Sequence, residues 1–526
     1  MQIDLADVTP RTEPFRSQVC IIGAGIAGLT LAHRLIRQGI DVTLLEAGGQ
    51  ALEPASQGLI SAAHLTGEPH LGTHEGRFRA FGGASLRWGG QLLPFPPAAA
   101  QDRWPISHSD LEPHYSAAEA LLAVDGLPYA AEQFFPEANT PVPSLLQQLP
   151  HLTASLSKWT PFSHRNLAST IGRELLRHPR AKIYLHAQVA ELLLAPARDR
   201  IEAVLVRTLT GRTFRFEAEH VILAAGTVET SRLLLSSRSI DPEGVGNAHD
   251  QVGRNFHDHL TLPAAIIHRA ARRTLLTQLR PWVFGGTQHS IKLEAGPQLR
   301  ERLSLNPVLA HLTFEEKEGS GLSIVRDLLT ARQHGNLAAI LLSNLHRLPS
   351  AAVQALLLAR HTKLLHRRFI SSQTHVTLRL NAAQDAPSQS RITLSTDLDP
   401  FGVPQPLVDW RISANELQTL RRFAAYLRER FESNGAQKGI EWQSALFNVD
   451  ESVQGLEDAR HAMGGTCMGN DPHTSVVDIN LQVHGIANLY LAGPSVFPDG
   501  APQLPTLTMM ALTLRLADRL VSTPRS

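Results

Sequence analysis

The sequence predicts an α/β fold in which a Rossmann-like dinucleotide-binding domain is interleaved with a second, α+β domain. Three observations carry this. The chain begins with a strand–turn–helix–strand unit whose glycines fall at Gly23, Gly25 and Gly28. Strand and helix pieces of the same kind recur at about residues 182–235 and 487–520. Finally, 526 residues exceed what one hydrophobic core usually serves, since cores stop growing near ~250–300 residues.

In the first unit, Val19-Cys20-Ile21-Ile22 reads as a buried parallel strand, with Cys20 a small hydrophobe. Leu29, Leu31, Ala32, Leu35 and Ile36 follow at helical spacing, and Gly39 suits the helix C-terminus. Asp41–Leu45 is a second strand ending at Glu46. Gly23 permits the tight turn, Gly25 lets backbone approach a pyrophosphate, and Gly28 allows close helix–strand packing. The helix N-terminus offers unpaired N–H groups to phosphate oxygens. Glu46 is placed to accept hydrogen bonds from an adenosine ribose, which disfavours NADP but does not separate NAD from FAD.

The later pieces are read in the same way. Strands are expected at Lys182–Leu194, Ile201–Leu209, Phe214–Glu219 and His220–Gly226, then a helix over Thr227–Leu235 with Thr227 near its N-cap. Near the C-terminus, Leu489–Gly493 is a strand and an amphipathic helix starts at about Thr506. Two insertions, about residues 96–179 and 259–454, form the second domain. Ala351–Arg368 reads there as a helix with a solvated basic face, and Ser390–Trp410 as strands around Asp399-Pro400-Phe401-Gly402.

Composition bounds the function. With 43% hydrophobic and 18% charged residues the chain is ordinarily globular, not disordered, collagenous or coiled-coil. The 49 basic and 48 acidic residues are too balanced for a polyanion-binding surface, so nucleic acid is not the expected main partner. Two cysteines cannot build a disulfide scaffold or a four-thiolate metal site. No stretch approaches the ~18 apolar residues of a membrane span, and the N-terminus lacks a secretory pattern, so the expectation is cytoplasmic.

Five motifs resemble the glucose–methanol–choline (GMC) family of FAD-dependent oxidoreductases, in particular its bacterial sugar and alcohol dehydrogenase branch and the pyranose oxidases. They are Gly23–Glu46, then Arg79–Gly90 with Trp104–Ser107, then His220–Leu235, then Val252–His259, and last His461–Gly469 running on to Pro505-Thr506. The resemblance implies an FAD domain over 14–95, 180–258 and 455–526. It implies a substrate-binding cap over 96–179 and 259–454 carrying an antiparallel sheet. It also implies that Gly82, Gly83, Ser85, Trp88, Gly89 and Gly90 pack along the flavin, that Val189 lies near the adenine, and that Ala225, Gly493, Pro494, Pro505 and Thr506 complete the cofactor site. Where pyranose oxidases carry a flavin-linked histidine this chain has Arg87, so the FAD is expected to be non-covalent.

By the same resemblance His461 is the catalytic base, a role an imidazole with an ordinary pKa near ~6.5 suits. The family's second catalytic position, His or Asn, falls on Leu504, which can neither orient a hydroxyl nor relay a proton; Gln503 is the nearest substitute. Gln288, His289 and His311 are further candidates in the insertion. His257 and His259 lack a ligand set, and no metal is assigned. The expected activity is oxidation of a CH–OH group of a sugar, glycoside, polyol or other metabolite alcohol by hydride transfer to flavin. Oxygen or another acceptor reoxidises the flavin. Two alternatives remain: a flavin-dependent desaturase, and a hydroxynitrile lyase-like enzyme in which FAD is structural.

Overall fold

The computed structural model describes residues 1–95, 103–317, 320–334, 348–385, 387–433, 439–448 and 450–522. Apolar runs short enough to be strands and bounded by glycine turns assemble one eight-stranded sheet. Five of its strands lie side by side and parallel: Ala181–Leu185, Val42–Leu45, Phe15–Ile22, Thr213–Leu223 and Leu489–Leu491. Widely separated chain segments therefore end at one edge. The helix Ile26–Arg37 follows the first of these strands in sequence, and it packs against the C-terminal helix Thr506–Ser522. That last helix is apolar nearly all round, from Leu507 through Met510, Ala511 and Leu514 to Leu520, because neighbours cover most of it.

The turn after Phe15–Ile22 shows why glycine is needed there. Gly23 has φ +104, and a Cβ on Gly28 would stand 1.9 Å from the Gly23 carbonyl oxygen. Only a hydrogen at Gly28 lets the helix sit on the turn.

A second sheet of nine strands is built mostly from the two insertions. Its main path joins Ile440–Trp442, His259–Ile267, His375–Ala383, Val308–Glu315, Thr287–Ala295, Leu152–Trp159 and Gln91–Leu92, antiparallel throughout. Alternation along the strands gives it two unlike faces. Ile291, Leu293, Ala310, Leu378 and Leu380 belong to a buried core that also holds Phe423 and Leu427 of the helix Ala414–Ser433. Gln288, Ser290, Lys292 and Glu294 alternate with the apolar positions and form the other face.

Several local expectations change. Phe214–Glu219 and His220–Gly226 are not two strands but one, Thr213–Leu223. Its first half pairs antiparallel with Ile201–Arg207 and its last part parallel with Leu489–Leu491, so two partners share one strand edge in succession. Thr227 is near the N-cap as expected, the first helical residue after the capping Gly226 of Thr227–Ser236, and its hydroxyl donates to the Ala462 carbonyl at 2.6 Å. The helix expected over Ala351–Arg368 runs from Leu348 to Leu364, with the chain turning at His366 (φ +49). Gln2–Asp4 adds an edge strand that no motif announced. Among the described residues no helix is long and apolar enough to cross a membrane.

Candidate active site

A cavity with an empty volume of about 1640 Å³, part of it open to solvent, lies along the C-terminal ends of the five parallel strands. Following the strand order, its lining passes from Gln188 and Val189 to Glu46, then Gly23 and Gly25, then Ala224 and Ala225, and on to Gly493 and Pro494. Ligands of doubly wound sheets bind outside these strand ends, where each strand hands over to a loop. His461, Ala462, Pro505 and Thr506 line the same cavity. The fold thus brings one wall together from residues more than 480 positions apart in the chain.

Not every expected contact faces it. Gly83 lines the cavity, and a Cβ on it would come within 2.8 Å of the Gly25 Cα, so the second glycine motif packs on the first. Gly82 does not line it; its N–H donates to the Ala24 carbonyl at 2.9 Å and fixes the two loops together. Ser85 is spent inside the protein, donating to Gly82 O at 2.7 Å and accepting from Leu167 N at 3.2 Å. Trp88 donates to the Arg165 carbonyl, Gly90 (φ +76) is buried against the Arg165 side chain, and Gly89 is exposed. These four residues shape the loop behind the wall. The sequence read a tight loop correctly, but not which side of it faces inward.

Glu46 is buried, and its carboxylate accepts from Ala24 N and Gly48 N, each at 2.9 Å. Burial raises its pKa, while those two N–H groups and the nearby Arg79 work against the rise. The carboxylate, with acceptor capacity beyond these bonds, can take a further donor.

His461 is tied down through its backbone, whose N–H donates to Asp258 Oδ2 at 2.7 Å. Asp258, itself fully buried, also accepts from His259 N at 2.6 Å and Ala459 N at 3.2 Å, with His70 Nε2 at 3.3 Å. One carboxylate thereby clamps three segments. The His461 ring meets His259 edge-on, with Nδ1 atoms 3.4 Å apart. Burial lowers the His461 pKa; Asp258 and Asp458 oppose this, while Arg460 and Lys292 add to it. The imidazole is therefore neutral at neutral pH and holds a lone pair able to take a proton.

Neither residue expected at the family's second position lines the cavity. Leu504 is half-buried outside its lining. Gln503 is 1% exposed and donates to Glu294 Oε2 at 2.7 Å, so its amide is bound to the antiparallel sheet. His289 is likewise structural, fully buried with Nε2 at 2.8 Å from Asp125. Gln288 reaches Ser290 Oγ at 3.4 Å. His257 and His259 are buried, and burial pushes them down to about 4 and about 3.

A charged cluster on the cavity wall was missed. Glu229 accepts from Arg77 and Arg232, and Arg232 reaches Asp399 at 2.6 Å. Burial would raise the Glu229 pKa, but Arg232, Arg77 and Arg79 outweigh it and hold it at about 2. The only trace in the sequence is the i,i+3 pair of Glu229 and Arg232 on one helix.

Comparison with known proteins adds the decisive observation. The GMC oxidoreductase profile matches residues 164–261 in its N-terminal part and 386–513 in its C-terminal part. The chain belongs to the GMC oxidoreductase family. Residues 21–60 of this GMC oxidoreductase also match an NAD(P)-binding Rossmann-like domain. The large subunit of fructose dehydrogenase from Gluconobacter japonicus is 25% identical over 97% of this chain and 98% of its own. The 6'''-hydroxyparomomycin C oxidase of Streptomyces lividus is 24% identical over 96% of this chain and 91% of its own. Among solved structures, pyridoxine 4-oxidase from Mesorbium loti superposes with a TM-score of 0.61 at 17% identity, covering 96% of this chain and 99% of that one. A formate oxidase gives 0.60 at 17% identity, covering 97% and 99%; both show the fold alone.

FAD is the cofactor of this GMC oxidoreductase, and the cavity fits it. Gly25, Gly226 and Gly493 all line the cavity, and a Cβ built on any of them meets nothing within 4 Å. That is open space which larger residues would fill. The helix Ile26–Arg37 begins there with no side-chain cap, leaving its first N–H groups for an anion.

Proposed function

We propose that this enzyme oxidises a CH–OH group of a sugar, polyol, glycoside or similar alcohol, with His461 as the base. Its curated relatives named for fructose, hydroxyparomomycin and 2-methyl-1,2-propanediol support that substrate range. Glu46 and Val189 would hold the adenosine end of FAD, and the N-terminus of Ile26–Arg37 its pyrophosphate. Gly493, Pro494, Pro505 and Thr506 would hold the ring system. Bound FAD supplies the hydride acceptor. Arg87 is exposed and carries no nucleophile, which supports non-covalent attachment. We assign the FAD domain to 14–95, 180–258 and 455–526 and the cap to 96–179 and 259–454.

The chain's own part in the reaction is to orient the alcohol and take its hydroxyl proton. The observation that carries this reading is a neutral, backbone-clamped His461 in the same cavity wall as Pro505 and Thr506. Asp258 acts as a positioning residue, since it accepts from the backbone N–H groups of Ala459, of His461 itself and of His259, whose ring meets His461. A base at this point accepts the O–H proton as the C–H hydride leaves, and losing it costs about 10²–10⁴ in rate. His461→Ala is therefore expected to lower kcat by about 10²-fold or more while binding FAD normally. Full activity with an unchanged pH profile would assign the base elsewhere.

A further inference from the structure

The polar face of the antiparallel sheet holds a buried lysine whose ammonium group is not hydrogen-bonded among the described residues. Lys292 is 2% exposed, and among the described residues no hydrogen bond or ion pair reaches its ammonium. Glu294 acts on it electrostatically, but that carboxylate is turned to Ser155 Oγ and Gln503 Nε2, each at 2.7 Å. A buried ammonium with no bonded counter-ion either gives up its proton or is held charged by an anionic ligand.

The strand register shows what surrounds it. Directly opposite residues share a face. Leu293 pairs with Ala310 and Glu294 with Leu309, and continuing that antiparallel register sets His311 opposite Lys292. His311 in turn pairs with Arg379. Lys292, His311 and Arg379 thus form a basic row across three adjacent strands. The row lies on the sheet face next to the site: His259, which meets His461 edge-on, is two positions before Thr261, whose hydroxyl accepts from Arg379 at 3.4 Å. Lys292 disfavours protonation of both His311 and His461, and Arg379 does the same to His311. His311 Nδ1 is buried without a partner.

We propose that Lys292, His311 and Arg379 form an oxyanion subsite, so that the alcohol oxidised beside His461 carries a carboxylate or phosphate group. This rests on the reading of His461 as the base. It deepens that reading by naming a charged substrate class. Desolvation, which pulls the free Lys292 ammonium down to about 7, is relieved when the anion arrives. Leu504 need not orient the hydroxyl, because the far end of the substrate is anchored on the sheet.

The test uses the FAD-loaded enzyme and reads binding, not turnover, by perturbation of the flavin visible band. Matched probes are titrated: glycerate against glycerol, gluconate against glucitol, and glucose 6-phosphate against glucose. At least one anion is expected to bind about 10–100-fold tighter than its uncharged counterpart, the range for a charge-assisted hydrogen bond in a buried site. Lys292→Met should erase that preference, and Lys292→Arg should retain part of it. If no anion binds tighter than its counterpart, or if Lys292→Met weakens both members of a pair equally, the subsite does not exist. The wild-type comparison decides this even if the variants fold poorly. Failure of the base assignment looks different: the anion preference persists while no alcohol reduces the flavin.

Discussion

At the scale of single residues, the site depends on where buried charges find partners. Asp258 accepts from the backbones of His259, Ala459 and His461. Asp258→Asn puts a donor amide among donors, which costs about 1–3 kcal/mol for each buried group left unsatisfied. The variant should lower Tm, and it should lower kcat more than it raises KM, because it loosens the base without removing it. Equal kcat with only a lower Tm would mark Asp258 as purely structural. Leu504→Asn, by contrast, should change kcat/KM by less than about threefold, since that side chain lies outside the cavity lining. The glycine turn and the place of Glu46 at the end of the second strand were legible in local spacing, whereas His461 was named only through the family resemblance. The arginine cluster around Glu229 was not, since Arg77 and Glu229 are 152 positions apart.

At the scale of elements, the first βαβ unit separates two jobs that one glycine pattern combines. Gly28 has no room for a Cβ, whereas Gly25 faces open space in the cavity. Gly28→Ala should destabilise the whole FAD domain. Gly25→Ala should leave the Tm of the FAD-free protein within a few degrees of wild type while weakening FAD binding by at least about tenfold. Acid release of FAD and thermal melts of the FAD-free protein check this pair; equal behaviour of the two variants would refute the division. The unit itself was readable from periodicity. Ser85, Trp88, Gly89 and Gly90 were not, because a glycine-rich loop has two sides and only the packing of Gly82 on Ala24 shows which is which. The polar face of the antiparallel sheet was hidden for a related reason: Lys292, His311 and Arg379 become a row only through cross-strand register.

At the scale of the whole molecule, buried histidines set the response to acid. His257 and His259 are held neutral by burial, with pKa values of about 4 and about 3, below the ordinary 6.5. Below pH 6.5 the unfolded chain takes up protons that the native state refuses, so stability falls as pH drops and levels off only below those values. Glu229 acts in the same direction: its contribution is complete above its ordinary 4.5 and is lost as pH falls through about 2. Lys292, held near 7 against an ordinary 10.5, makes stability rise between those two pH values. Melting curves from pH 4 to 9 should therefore show Tm climbing steeply from pH 4 to 6.5; a flat profile there would mean the histidines are not buried as described. That the chain needs more than one core was legible from length and recurring motifs, but the sharing of one strand, Thr213–Leu223, between two partners required the fold.

We propose that an alcohol gives its hydroxyl proton to His461 in this cavity, where bound FAD would supply the hydride acceptor. The most direct measurement is the visible spectrum of the purified enzyme under anaerobic conditions, titrated with sugars, polyols, glycosides and their acid derivatives. Bleaching of the flavin band near ~450 nm is expected with at least one of these alcohols, and much slower bleaching in His461→Ala. A flavin that dithionite reduces but that no alcohol in the panel bleaches would contradict it.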